Sequence, residues 1–84
     1  SRVVTSALGP LRDYDERRGA GLVETLRAYV DTNFSIAGAA RALAVHNNTI
    51  LYRLGRIREL TGRDPRNVDD VIFLALSLRL DAEV

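Results

Sequence analysis

Apolar residues recur along this chain at spacings of three and four, the period of helices, and almost nowhere alternate as strands do. Near the start, Val3, Val4, Ala7 and Leu8 predict one short turn or helix, broken at Gly9-Pro10. Pro10 can open a second short helix through Tyr14, because its missing N–H costs nothing at a first helical position. The polar run from Asp15 to Gly21, "DERRGAG", reads as a solvated loop. Leu22, Leu26, Tyr29 and Val30 then mark an amphipathic helix, with Asn33 as its left-handed terminator. Ser35 caps the next helix, Ile36 to Leu43, whose Ala39, Ala40 and Leu43 face inward and let a partner helix approach closely. Gly38 inside it costs up to about 1 kcal/mol relative to Ala.

After Ala44-Val45-His46, Asn47 is expected to cap a long helix reaching Thr61, and Gly62 closes it. Ile50, Leu54 and Ile57 follow i, i+4, i+7 and supply its core face. A last helix, Val68 to Leu80, places Asp69 and Asp70 in the first turn, where the helix dipole favours them. It is apolar round most of its circumference, so it is either sandwiched in the core or offers Phe73, Leu74, Leu78 or Leu80 to another chain. The expected architecture is all-α: a small helical domain of about five helices spanning 1–84. Its parts are an N-terminal helical or linker segment at 1–21, a helix–turn–helix at 35–61 and a C-terminal apolar helix at 68–81.

Composition narrows the setting. A chain of 84 residues buries only somewhat over ~60% of the surface its unfolded form exposes, so its core must be economical. The absence of Cys excludes disulfides and cysteine-based zinc sites. No apolar run approaches the ~18 residues a membrane span needs, and no signal peptide opens the chain. A chain that starts at Ser1 without Met reads as a piece of a longer protein. No membrane partner and a cytoplasmic setting are expected. Net charge is +1 but unevenly spread: residues 41–66 carry +4, and the rest of the chain −3. A basic segment says more about a partner than the average does.

That segment holds two helices joined by a three-residue turn, the geometry of the helix–turn–helix, whose second helix enters the DNA major groove. With Ile50 at zero on a wheel of about 100° per residue, Leu54 and Ile57 fall within about 40° of it. Asn48 and Tyr52 lie near the opposite pole, with Leu51, Gly55 and Arg56 nearby and Arg53 towards the flank. The outward face therefore offers amide, phenol and guanidinium groups, which pair with bases or hold phosphates, and Gly55 leaves room for a sugar-phosphate strand. Ser35 adds the N-terminus of the preceding helix, whose N–H groups can meet a phosphate.

Plainer explanations stand beside each residue. His46 and Asn47 could only cap a helix; Arg53, Arg56 and Arg58 could be a solvated face, with Arg56 paired to Glu59; Tyr52 could be partly buried. A lone His makes no metal site, and no nucleophile or metal-ligand constellation surrounds Ser6, Ser35 or Ser77, so neither catalysis nor a cofactor is expected. The rival to DNA binding is a helical protein-interaction or dimerisation module.

The residues also carry a resemblance. "AARALAVHNNTILYRLGRIRELTGRD", with "LVETLRAYV" before it and "DDVIFLALSLRL" after it, resembles the C-terminal helix–turn–helix domain of PucR-type transcriptional regulators and the related sugar-diacid regulators. The matching signature is Ala39-Ala40, Leu43, Val45-His46-x-Asn48-Thr49 and Tyr52-Arg53-Leu54, ending Ile57…Leu60-Thr61-Gly62. "LGPLRDYD" is similar to the stretch preceding that domain in the family, and the helix–turn–helix is similar to that of the Fis nucleoid protein. The resemblance implies the output domain of a bacterial, nucleoid-associated regulator that binds double-stranded promoter DNA as a homodimer, with a sensory region upstream in the full-length chain. It implies that His46, Asn47, Thr49, Tyr52 and Arg56 approach DNA, with Arg53 on a phosphate or holding the two helices together. Ala44 departs from the Gly, Asn or His that would more easily turn left-handed there, at roughly 1 kcal/mol if it does so. Asn47 sits where the family varies, and so bears on which sequence is read.

Overall fold

A computed structural model describes residues 6–82; the expected turn at Val3 and Val4 lies outside them. Among the described residues there are five α-helices and no strand: α1 (Gly9–Arg18), α2 (Leu22–Asp31), α3 (Ile36–Leu43), α4 (Asn47–Thr61) and α5 (Val68–Ala82), preceded by a 3₁₀ turn at Ser6–Leu8. The fold is all-α, as the periodicity predicts. The hub is α2, which packs against each of the other four helices, while α5 lies chiefly against the N-terminal turn and α2.

The first helix is longer than expected and takes in the first half of the polar run. Leu11 and Tyr14 bury one side of it, its charged residues lie mostly on the other, and Gly19 ends it in the left-handed region. Asp15 is no loop residue: its carboxylate oxygens accept the N–H groups of Leu22 and Val23 at 2.7 and 3.0 Å. One side chain thereby satisfies two orphan donors at the start of α2 and fixes the angle between the helices. Between them, Gly21 has φ +68, and a Cβ there would lie 2.9 Å from Glu24 Oε1 and 3.2 Å from an Arg53 guanidinium nitrogen. The left-handed φ is what favours glycine here, since the crowding atoms are the ends of flexible side chains that can shift.

The end of α2 is a Schellman turn. Asn33 N–H donates to the Val30 carbonyl and Phe34 N–H to that of Tyr29, with Asn33 at φ 59 as expected. Phe34, also left-handed at φ 63, was not expected there; its exposed ring rests 5.8 Å from that of Tyr29. Ser35 caps α3 as the sequence suggests, its Oγ accepting the Gly38 N–H at 2.8 Å. Gly38 also gains a reason: a Cβ there would stand 2.9 Å from Thr32 Cβ, so the propensity it forfeits permits the tight link between α2 and α3.

The last helix resolves the two options left open for it. Val71, Leu74, Ser77 and Leu78 face the core, and the Ser77 hydroxyl donates to the Phe73 carbonyl at 2.9 Å. Leu74 and Leu78 are therefore not available to another chain, which removes these two from the residues that could have served dimerisation. The exposed apolar positions of α5 are instead Val68, Ile72 and Leu76.

Candidate nucleic-acid interface

The turn between α3 and α4 is a second Schellman arrangement: Ala44 N–H donates to the Arg41 carbonyl and Val45 N–H to that of Ala40. Ala44 takes φ 56 and ψ 46, so the strain foreseen for a non-glycine residue is present. The chain then turns into α4 through His46, whose Nδ1 accepts the Asn48 N–H at 3.0 Å. This corrects the expectation for Asn47, which is the first residue of the helix and not its cap. An Nδ1 that accepts places the ring proton on Nε2, a donor at the leading edge of the helix.

Ile50, Leu54 and Ile57 are buried and anchor α4 as the periodicity requires. Opposite them, His46, Asn47, Asn48, Leu51, Tyr52 and Gly55 are exposed, Tyr52 at 67%, while Thr49 is half-buried. A Cβ on Gly55 would meet nothing within 4 Å, so the helix surface is open where a strand could approach. Tyr52, Leu51 and Gly55 share a shallow groove with Arg56, Arg58 and Glu59.

The two arginines singled out from the sequence are both tethered to the scaffold. Arg53 reaches back to α2, where its guanidinium donates to Thr25 Oγ1 at 3.1 Å, and the Thr25 hydroxyl in turn donates to the Gly21 carbonyl at 2.7 Å. This bond ties α4 to α2, not to α3, the helix the resemblance allowed it to hold. Arg56 donates from Nε to the Tyr14 hydroxyl at 3.1 Å and from Nη1 to Glu59 at 2.9 Å, with its guanidinium carbon 5.0 Å from the centre of the Tyr14 ring. The hydrogen bonds to Glu59 and then Tyr14 push its pKa further up, so its charge is fixed at every accessible pH. The local pairing with Glu59 is present, but the contact with Tyr14 of α1 was not legible from a helical wheel. Ser35 is half-buried with its oxygen committed to the cap.

Sequence reasoning passed over three residues that shape this surface. Leu51, 39% exposed on the leading face, was noted only as a neighbour of Tyr52. Thr25 and Tyr14 are the anchors for the arginines, and nothing local in sequence marks them, since they lie 28 and 42 residues away. Among the described residues no group of His, Cys, Asp or Glu could hold a metal ion, and no helix is long and apolar enough to cross a membrane.

Two helices joined by a three-residue turn that opens on a left-handed Ala44, the second presenting a polar face with no part in the core, define a helix–turn–helix protein. The family model of the PucR C-terminal helix-turn-helix domain matches residues 22–80, and the chain belongs to that family. An uncharacterised Mycobacterium tuberculosis protein is 44% identical over 73 residues, 87% of this chain and 17% of that protein. The Escherichia coli carbohydrate diacid regulator is 45% identical over 62 residues, 74% of this chain and 16% of its own. The Bacillus subtilis DNA-binding transcriptional activator AdeR is 31% identical over 74 residues, 88% of this chain and 18% of its own. The chain thus spans about a sixth of the length of the curated relatives it matches. The family is one of DNA-binding transcriptional regulators and not of enzymes.

Proposed function

We propose that the chain reads double-stranded DNA sequence-specifically, with α4 in the major groove, as the output domain of a bacterial transcriptional regulator. The observation that carries this reading is the leading face of α4: Asn48, Leu51 and Tyr52 are exposed and serve no core contact, on the second helix of a family-matched helix–turn–helix. Asn47 and Asn48 supply amides that can pair bidentately with adenine, and Leu51 an apolar group for a thymine methyl. His46 Nε2, Tyr52 and the exposed Arg41 and Arg58 supply donors for phosphates. Ser35 acts by ordering the N-terminus of α3, which crosses the backbone; Thr49, in the first turn of α4, approaches the DNA, and Arg53 and Arg56 act by holding α4 at its angle.

In the full-length protein this domain works as half of a cytoplasmic, nucleoid-associated homodimer on paired half-sites, under an upstream sensory region. Relatives whose names are those of transcriptional regulators, several times longer than this chain, support that wider reading.

The test is an anisotropy titration of a duplex selected from a random pool, at two salt concentrations, with the native chain and an Asn48→Ala/Tyr52→Ala variant. The reading expects salt-sensitive binding by the native chain and a loss of ~1–3 kcal/mol per good base contact in the variant. Equal binding by both would place the DNA contact elsewhere, and no binding even at low salt would favour the interaction module.

A further inference from the structure

The exposed apolar residues of α5 form a single stripe. Val68 is 72% exposed, Ile72 58% and Leu76 47%, at a spacing of i, i+4, i+8. Side chains so spaced lie within about 40° of Ile72 on the helix, and half-buried Leu80 continues the line, giving a strip about 18 Å long. The stripe sits on an element packed chiefly against the N-terminal turn and α2, so covering it leaves the leading face of α4 open. Apolar side chains in a row, flanked by charge, mark an interaction surface more often than a chance of composition.

The pattern of the stripe says what covers it. Reflected about Leu74, Ile72 exchanges with Leu76, Val68 with Leu80, and Asp69 with Arg79. Asp69 and Arg79 are both exposed and border the same stripe, within about 60° of Ile72. A helix whose apolar positions and opposite charges both map onto themselves under this reversal is self-complementary, as a two-fold interface requires. Antiparallel pairing also sets the two helix dipoles head to tail.

We propose that this face of α5 is the interface between two copies of the chain, paired antiparallel so that Ile72 meets the partner's Leu76 and Asp69 meets the partner's Arg79. This rests on the reading of the chain as half of a DNA-bound dimer and gives that dimer its surface. One helical face falls short of the ~800 Å² per partner of a standard interface, so free chains associate weakly. Adjacent half-sites, or the rest of a longer protein, raise the pairing through effective concentration.

The test is sedimentation equilibrium of this chain up to millimolar concentration, for the native form, Ile72→Asp, Asp69→Arg, Arg79→Asp and the double charge exchange, each first checked for native helicity. The native chain is expected to dimerise reversibly, with Ile72→Asp weakening association at least ~10-fold. Each single charge reversal should weaken it ~2- to 5-fold, and the double exchange should restore it. A native chain that stays monomeric, an Ile72→Asp variant that dimerises as well as native, or a double exchange that restores nothing would overturn the proposal. A parallel titration of a single half-site duplex separates this from the DNA reading. Half-site binding kept by native chain and Ile72→Asp alike, without dimerisation, rejects the interface alone; dimerisation by a chain that binds no duplex rejects the DNA reading alone.

Discussion

The leading face and the trailing flank of α4 are made of different residues and answer to different neighbours. On the leading face, Asn48, Leu51 and Tyr52 are exposed and the groove beside Gly55 is open. On the trailing flank, Arg53 and Arg56 each cross to another helix, one to Thr25 of α2 and the other to Tyr14 of α1. The contrast is instructive because a charge-led reading would rank the arginines first as DNA contacts. An Arg offers several donors on a long stem and can brace a helix as readily as hold a phosphate. Under the proposed reading the groups offered to bases are neutral amides and a phenol, and the two arginines beside them are held by hydrogen bonds to α2 and α1.

The largest effect should come from the core that both sides share. Truncating Leu54 or Ile57 to Ala leaves a cavity under α4 and should cost about 2–5 kcal/mol of unfolding free energy by denaturant titration, with DNA binding lost alongside. The comparison itself is sharpened by Tyr52→Ala and Asn48→Ala. Each should weaken a selected duplex by about 1–3 kcal/mol while leaving unfolding stability within about 0.5 kcal/mol of native. Arg53→Ala should show the reverse emphasis: a stability loss of about 1 kcal/mol, since buried Thr25 loses its donor, and a weaker effect on affinity that follows from it. A smaller, opposite change is expected from Ala44→Gly, which relieves a left-handed alanine in the turn and should raise stability by about 0.5–1 kcal/mol in the same titration.

The smallest effect concerns pH. Burial holds the Tyr29 phenol above its ordinary value of 10.0, with Arg66 pulling it down and Asp64 reinforcing the rise. A group protonated more tightly when folded contributes stability that is complete below its unfolded pKa and lost as pH rises through the folded one. Stability should therefore be flat towards the alkaline side and decline above about pH 10, and Tyr29→Phe should flatten that decline.

Much of the fold was legible because it is local. Ser35 and Gly62 mark helix ends by chemistry within a turn of themselves, and Ile50, Leu54 and Ile57 declare their face by spacing alone. What escaped was non-local or degenerate. Asp15 caps a helix that starts seven residues later, so it read as part of a loop. Both His46 and Asn47 could cap α4 on sequence, and the spacing did not choose between them; the ring nitrogen of His46 takes the Asn48 N–H. A wheel shows Arg56 pointing away from Ile50 but cannot show that α1 lies there to receive it. The helix α5 is apolar nearly all round, so periodicity left its inward face open, and packing selected Val71, Leu74 and Leu78.

The most direct test of the account is a backbone and side-chain NMR titration of the chain, at a concentration where it is monomeric, with a selected duplex carrying a single half-site. The amides of residues 46–52 and the side-chain amides of Asn47 and Asn48 should move most, while the Arg53 guanidinium keeps its signature of a bond to Thr25 and the amides of α5 move little. Perturbations centred on α5, or an Arg53 guanidinium that leaves Thr25 on binding while the leading face stays unmoved, would contradict it.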